Sequence, residues 1–387
     1  MADGVVYVDM DAFYVSCELL RHPELKGRPV AVSADPRGGQ GRGVVLSASY
    51  EARRYGLRSA LPVSQAWALC PEAAYLRPDF SFYEETSRQV MALLRERSSL
   101  ARAFSIDEAA YPTGFEGRAQ AEREGRAVQA EILERFLLPC SVGIAPNLTL
   151  AKMASDRAKP GGVVVVLLEE VPEFLAPLPV RSVPGVGPVT ERALLARQVR
   201  TIRELTLLSP RELKTLLGSS NPDIVRMARG ESTESPWPEE EGPRSVGSMS
   251  TFDMDTEDAD ALSRELRSLA TRVAEEVKRR GLRFRTVTLR VRYEDFSQVQ
   301  RSQTLPRPTD AFDALCRVGE GLLGELLRER RGSPAPLGPA PVLRVPRRIR
   351  TLSLTVQGLR EVPAGERPLE GFLSGPPVAG EPPDHEA

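Results

Sequence analysis

Apolar and polar positions along this chain change their rhythm twice. Up to about residue 167, short β-branched runs alternate with stretches of helical period. The runs 5-VVYVDMD-11, 29-PVAVS-33, 44-VVLSA-48, 103-AFSIDEAAY-111, 139-PCSVGIA-145 and 163-VVVVLL-168 read as strands. Helices are expected over 13–20, 49–55, 62–70, 80–97, 118–136 and 147–157. Strand and helix in alternation predict an α/β domain. From 172 to 230 the pattern is helical throughout, with the turn 182-SVPGVG-187 at its centre. The polar, Pro-rich and acidic stretch 231-ESTESPWPEEEGP-243 reads as a linker. Beyond it, strands near 245–252, 284–293, 299–304 and 348–357, with helices at 257–280 and 308–330, predict a separate α+β domain. Within that domain 332-GSPAPLGPAP-341 reads as a loop, and the Pro-, Gly- and Glu-rich tail from about 362 reads as disordered. A chain of 387 residues exceeds what one hydrophobic core serves, so several domains are expected.

Charge distribution refines this picture more than composition does. The formal net charge of -1 conceals basic blocks, 278-KRRGLRFRTVTLRVR-292 and 344-RVPRRIR-350, beside acidic ones, 238-PEEEG-242 and 253-DMDTEDAD-260. Such blocks accommodate a polyanion-binding face that the sum does not reveal. The four cysteines, Cys17, Cys70, Cys140 and Cys316, lie far apart without a Cys-x-x-Cys, and the chain has two histidines. A zinc site or a disulfide framework is therefore not expected, and a reducing cytoplasm is. No apolar stretch approaches the length of a bilayer, and no basic region followed by an apolar one opens the sequence, so no membrane association is expected.

Three carboxylates stand in apolar surroundings. Asp9 ends one strand run, and Asp107 and Glu108 are adjacent in another. A buried carboxylate without a partner is costly. Neighbouring side chains on a strand point to opposite faces, so both acids reach one point only where the strand bends or ends. Two readings stand at this level: acids that cap turns at a sheet edge, or carboxylates gathered about a cation. Mg2+, with its preference for oxygen ligands and for phosphate, suits the second. Asp11 reads as structural.

Among the basic residues, Tyr50 and Arg53 in 47-SASYEARRYG-56 share a helix face, and an Arg fork beside a phenol can hold a phosphate. Only five of the 52 basic residues are lysines, and two of them, Lys152 and Lys159, fall within 151-AKMASDRAKPGG-162. A lysine there suits a triphosphate as a point charge, or complements the dipole at the helix end. The turn 183-VPGVG-187 reads as a helix-hairpin-helix turn whose glycines let backbone N–H groups approach phosphates, or as a plain turn.

In order and spacing, 8-VDMDAFYVSCE-18, 47-SASYEARRYG-56, 105-SIDEA-109, 142-VGIAPNLTLAKMASDRAKP-160 and 183-VPGVG-187 resemble the motifs of Y-family translesion DNA polymerases, in the bacterial DNA polymerase IV branch. The resemblance runs from about residue 5 to 230 and is fainter beyond, where 245-SVGS-248 and the strand near 348 are similar. It implies a right-hand polymerase: palm over 1–12 and 79–167, fingers over 13–78, and a helical thumb over 168–233. A linker over 234–244, an α+β little finger over 245–361 and a disordered tail over 362–387 follow. Asp9, Asp107 and Glu108 would hold two Mg2+ ions with the help of the Met10 backbone carbonyl. One ion would lower the pKa of the primer 3′-hydroxyl, and the other would steady the triphosphate and the leaving pyrophosphate. Tyr50, Arg53 and Lys159 would grip that triphosphate. Tyr14 would be the steric gate against a ribose 2′-hydroxyl. Lys152, the thumb turn Gly185, Val186 and Gly187, and the little-finger residues Arg283, Arg285, Arg290, Arg292, Arg347 and Arg348 would contact DNA in a sequence-independent, salt-sensitive way.

The implied activity is DNA-directed DNA polymerisation of low fidelity across damaged template, adding dNTPs to a primer 3′-hydroxyl. The protein would act as a monomer on primer-template DNA, cytoplasmic at the nucleoid, with the replication sliding clamp as partner and 366-ERPLEGFLSG-375 as the candidate clamp contact. A non-catalytic accessory of the same family in a mutagenesis complex is the alternative, against which all three acids argue. A nucleotidyl cyclase shares palm-like metal geometry but needs neither a thumb turn nor a basic final domain. Three features depart from the family pattern. Ala110 stands where many relatives carry an aromatic, with Tyr111 beside it to compensate. Leu46 stands near the templating base where relatives often keep a small or polar residue. The linker is acidic where a basic one would help to bind DNA.

Overall fold

The computed structural model describes residues 2–217, 221–231, 242–332 and 348–361. Its first strand, Ala2–Met10, sends Val6, Val8 and Met10 to one side and Val5 and Tyr7 to the other. Both sides are buried, as a strand between two layers must be. It lies at the centre of a five-stranded sheet in the order Arg102–Ala103, Glu108–Phe115, Ala2–Met10, Cys140–Ala145, Val163–Val165. Every pair is antiparallel except the last. Helices Phe80–Arg97 and Arg118–Phe136 contribute Tyr83, Val90, Leu94, Val128 and Ile132 to the core on the Val6 side.

The opposite face receives helix Leu148–Ala158. Asn147 caps its start by accepting from the Leu150 N–H at 2.9 Å, and Pro160 stops its continuation. Gly143 sets how closely this helix approaches. A Cβ there would lie 2.0 Å from the Ala151 carbonyl oxygen and 2.3 Å from the Ser155 nitrogen, so only glycine lets the helix rest directly on the strand. Helices Val171–Leu175, Pro188–Leu195, Ile202–Thr206, Pro210–Leu217 and Asn221–Ala228 extend the same core, in which Leu150, Leu175, Leu194, Ile202 and Ile224 join Val5 and Ala110.

Between the first strand and Phe80, a three-stranded sheet of Val45–Ala48, Val30–Ser33 and Ala74–Leu76 builds its own small core with Ala52 and Ala66 from helices Tyr50–Arg54 and Val63–Leu69 and with Leu57 between them. Ala74–Leu76 runs parallel to Val30–Ser33 and was not expected, because three residues are too few to display a period. The expected strand over 103–111 is instead a hairpin. Arg102–Ala103 pairs with Ala109 and Ala110, and the bend between them is closed by the Phe104 and Ser105 N–H groups donating to the Glu108 carbonyl at 2.8 and 3.3 Å. Asp107 is thus in the bend and Glu108 is the first residue of the strand. That is how neighbouring acids escape the alternation rule.

The chain divides into two compact units, residues 1–239 and 240–387, at a point inside the expected linker. The second unit has the element order β-α-β-β-α-β, with Ser245–Thr256, Ala259–Arg279, Leu282–Tyr293, Gln298–Thr309, Phe312–Gly332 and Ile349–Gln357. Its sheet is antiparallel in the order Gln298–Thr309, Leu282–Tyr293, Ile349–Gln357, Ser245–Thr256. Leu262, Leu266, Leu269, Val273 and Leu315 of the helices pack against Phe284, Val287, Leu289, Val291, Leu352 and Leu354. Among the described residues the other face is polar and partly exposed, carrying Thr286, Arg290, Arg292, Ser353 and Thr355. The run 299–304 extends to Thr309 through two prolines, which an edge strand tolerates because one side of it needs no ladder. A short strand, Arg360–Glu361, pairs with Leu282 and Arg283 beyond the last expected strand.

Candidate active site

Register brings the acids together. Asp9 is paired with Glu108 across neighbouring strands, and the Met10 N–H donates to the Asp107 carbonyl at 2.9 Å. Asp9 and Glu108 lie within hydrogen-bonding reach of each other, and Asp9 is 3 % exposed. Each is met by a lysine. Lys159 reaches the Asp9 carboxylate at 2.6 Å, and Lys152 forms a short ion pair with Glu108 while donating to the Tyr7 hydroxyl at 3.2 Å. Asp107 is half-buried, lines the same cleft and accepts from the Ser105 hydroxyl at 2.5 Å. Among the described residues, no three His, Cys, Asp or Glu side chains are drawn to a single point.

The charges explain that arrangement. Burial pushes the Asp9 carboxyl well above the usual carboxylate range, although the hydrogen bond and charge of Lys159 oppose it and Glu108 and Asp107 add repulsion. Burial also acts on Glu108, but there the hydrogen bond and charge of Lys152 win and hold the carboxyl low. Burial would lower the Lys159 ammonium, yet its contacts with Asp9 raise it. Burial and then the charges of Glu108 and Asp9 raise the Tyr7 phenol. Three oxygen-bearing acids in a half-dry place call for cations, and here two lysines supply them. The donor set, all oxygen and adjacent to a backbone carbonyl, fits a hard divalent ion.

A cleft of about 240 Å³ opens over this cluster. It is lined by Asp9, Met10, Tyr14, Tyr50, Arg53, Asp107 and Lys159, all expected from the sequence, and by Ala12, Phe13, Leu46, Ser47, Ser59 and Ile106. Of the latter, only Leu46 carried a signal. Tyr50 and Arg53 share a face as their spacing predicts, with the guanidinium 4.4 Å above the Tyr50 ring and its Nε donating to the Ala48 carbonyl at 3.1 Å. The Tyr14 ring stacks on Tyr83 with centroids 4.7 Å apart and meets Phe80 edge-on at 6.1 Å. Tyr83 donates its hydroxyl to buried Glu18 at 2.5 Å, which fixes the stack. Ala110 is fully buried opposite Tyr7. The expectation that Tyr111 compensates for Ala110 is corrected: Tyr111 projects from the other face of the sheet and donates to Glu124 at 2.7 Å. Tyr7, directly across the strand pair from Ala110, is the large partner of the small residue.

Lys152 belongs to the carboxylate cluster rather than to a free basic surface. In the thumb turn, Gly185 is exposed at φ 88°, a conformation glycine adopts without strain. Val186 turns its side chain inward and gives its N–H to the Val183 carbonyl at 3.0 Å. Gly187 precedes helix Pro188–Leu195 as its N-cap. On the polar face of the second unit, Arg290 and Arg292 are exposed, Arg290 bonding Gln300 across the strand pair at 3.1 Å. Thr286 and Thr288 pair there with Thr304 and Ser302 at 3.0 and 2.8 Å. Arg285 is exposed and donates to the Leu305 carbonyl at 3.2 Å, Arg283 is half-buried, and Arg348 is exposed. Arg347, the acidic linker at 232–241 and the segment 366–375 lie outside the described residues.

A sheet with helices on both faces and paired acids at its strand ends, beside a cleft lined by basic and phenolic groups, defines the palm of a nucleotidyl-transferring polymerase. Residues 8–156 match the impB/mucB/samB family, 169–199 the helix-hairpin-helix motif of that family, and 243–370 its C-terminal domain. The DNA polymerase IV of Methanoculleus marisnigri is 42 % identical over 82 % of this chain and 89 % of that protein. That of Alkalilimnicola ehrlichii is 39 % identical over 92 % and 95 %. Among solved structures, a Y-family DNA polymerase chimera of Dbh and Dpo4 matches with a TM-score of 0.79 at 25 % identity, over 93 % of this chain and all of that one. DinB from Sulfolobus solfataricus matches with a TM-score of 0.58 at 27 % identity, over 92 % and 98 %. The chain belongs to the Y-family DNA polymerases, in the DNA polymerase IV branch.

Proposed function

We propose that this protein is a low-fidelity, DNA-directed DNA polymerase that performs translesion synthesis, a nucleotidyltransferase whose chemistry sits at Asp9, Asp107 and Glu108. The single observation that carries the mechanism is the register pair Asp9 and Glu108, neutralised by two lysines, with Asp9 opening on a cleft that has Asp107, Tyr50, Arg53 and Lys159 on its walls. Polymerases of this family use divalent metal ions; two Mg2+ ions, held by the three carboxylates with the Met10 carbonyl, would activate the primer hydroxyl and balance the charge of triphosphate and pyrophosphate.

The chain's own residues do the rest. Arg53 offers a guanidinium fork and Lys159 a point charge to the triphosphate. Tyr14, wedged against Tyr83 and Phe80, closes the sugar side of the cleft. Solved complexes of the relative Dbh include an insertion ternary complex and a post-insertion binary complex, which supports primer-template DNA and dNTPs as the ligands here. Gly185 and Gly187 of the thumb turn, and Arg290 and Arg292 among the hydroxyls of the polar little-finger face, suit phosphate contacts that are independent of sequence. We assign the palm, fingers, thumb and little finger the boundaries that the resemblance implies. Clamp binding through 366–375, a monomeric state and a place at the nucleoid complete the proposal. No helix among the described residues is long and apolar enough to cross a membrane.

Primer extension with Mg2+ and dNTPs tests the mechanism. Asp107→Ala is expected to abolish extension while the protein stays folded, since Asp107 is only half-buried and its side chain accepts from Ser105 within its own bend. Extension at the wild-type rate would refute these assignments.

A further inference from the structure

Asp11 is 2 % exposed, and the reading above gives it no task. Three donors from three separate elements converge on its carboxylate. The Tyr50 hydroxyl, from the fingers, donates at 2.9 Å. The Ser141 hydroxyl, from the neighbouring palm strand, lies at 2.9 and 3.1 Å from the two oxygens. The Gly161 N–H, two residues beyond Lys159, donates at 2.8 Å and also approaches the Ser141 hydroxyl at 3.0 Å. Asp11 is anchored in turn by its own backbone, its N–H donating to the Pro139 carbonyl at 3.0 Å and its carbonyl accepting from the Ser16 hydroxyl at 2.6 Å. Gln129 clasps the same loop from behind, its amide nitrogen 2.7 Å from the Cys140 carbonyl and 2.9 Å from that of Gly161.

We propose that Asp11 is the positioning residue of the triphosphate grip, holding the Tyr50 phenol and the Lys159–Gly161 segment at fixed places beside Asp9. The proposal rests on the reading of Tyr50, Arg53 and Lys159 as that grip. A carboxylate that accepts three hydrogen bonds in a buried place is satisfied, and each donor loses its freedom in exchange. Two of the three donors belong to a five-residue helix of the fingers and to a loop that follows a helix end. Their common acceptor fixes the distance between the two walls of the cleft. A phenol has one proton. While Tyr50 donates it to Asp11 it has none for a phosphate oxygen, so Arg53 and Lys159 carry the charge recognition and Tyr50 acts as a packed wall under the guanidinium.

Single-nucleotide insertion kinetics on primer-template DNA, with dNTP titrated, test this. For Asp11→Ala, losing hydrogen bonds to a charged acceptor is expected to raise the KM for dNTP by about tenfold. The kcat is expected to fall by less than about threefold and the Kd for primer-template to stay unchanged, because ground-state binding of the nucleotide is what is lost. Asp11→Asn keeps the shape but turns an amide donor toward either Gly161 or Tyr50, and is expected to show an intermediate KM. Arg53→Ala and Lys159→Ala are measured alongside. If they raise the KM while Asp11→Asn and Asp11→Ala remain within about twofold of wild type, positioning by Asp11 is overturned. A loss confined to kcat overturns it as well. If Arg53→Ala and Lys159→Ala both leave the KM unaltered, the grip reading itself fails and the proposal falls with it. Should Asp11→Ala not fold, Asp11→Asn together with Ser141→Ala decides: a KM equal to wild type in both refutes the proposal, and a raised KM in both sustains it.

Discussion

Truncating Tyr14 to alanine isolates sugar selection from the rest of the mechanism. The ring cannot swing away from an incoming ribose. It is stacked on Tyr83 at 4.7 Å with planes 25° apart and blocked by Phe80 at 6.1 Å, and Tyr83 is itself pinned through its hydroxyl to buried Glu18. Forcing one more heavy atom into a packed site costs about 1–3 kcal/mol. At one factor of ten per 1.36 kcal/mol, that is a selectivity of roughly 5- to 150-fold against a 2′-hydroxyl. Tyr14→Ala removes the obstacle, so the ratio of kcat/KM for a deoxynucleotide to that for its ribonucleotide should fall by about the same factor. The change should lie mainly in faster ribonucleotide insertion. Tyr14→Phe keeps the ring and should keep the ratio. The lost aromatic pair costs about 0.5–1.5 kcal/mol of stability, a drop of a few degrees in Tm that a melting curve verifies. The assay is steady-state insertion of one nucleotide opposite a fixed template base. A folded Tyr14→Ala protein with unchanged sugar discrimination would refute the gate.

Other expectations are independent of this one. Gly143→Ala places a Cβ against the backbone of helix Leu148–Ala158 and should destabilise the first unit by about 3 kcal/mol or more, lowering Tm by roughly 6–12 °C. A Tm within one degree of wild type would refute the close-approach argument. Cys17 and Cys140 are fully buried, and burial pushes both thiols up to about 12, with the acids near each adding to the rise. The thiolate is the reactive form and a raised pKa depletes it below that value, so neither should be alkylated at pH 8 until the protein unfolds; mass spectrometry after a timed iodoacetamide pulse measures this. Arg290→Ala and Arg292→Ala should each weaken primer-template binding about equally on unrelated sequences and lower the salt slope by about one, which fluorescence anisotropy across a salt series would reveal.

Much of the site was legible before any coordinates. Asp9, Asp107, Glu108, Tyr50, Arg53 and Lys159 stand at spacings set by local periods: a strand that ends, a helix face three residues apart, a lysine beside a proline. The helices near 80–97 and 118–136 were expected and are present, because their length leaves little room for a strand. The hairpin that puts Asp107 in a bend and Glu108 in a strand was not legible, since 103–111 carries the composition of one continuous strand and only the closing hydrogen bonds to the Glu108 carbonyl interrupt it.

Tertiary structure decided what the local patterns could not. Asp11 reads as a structural acid, but its partners lie 39, 130 and 150 residues away, and no periodicity connects them. Lys152 was expected to contact DNA and Lys159 the triphosphate, yet the register of Asp9 with Glu108 brings each of them to a carboxylate of the same cluster. Ala110 looked like a defect to be repaired by its neighbour, yet alternation puts Tyr111 on the wrong face and the cross-strand partner Tyr7 on the right one. Local chemistry therefore fixed the kinds of residue and their secondary structure, because those depend on neighbours in the chain. Which charges meet, and which buried groups are satisfied, depends on neighbours in space, and these the packing of sheet against helix determined.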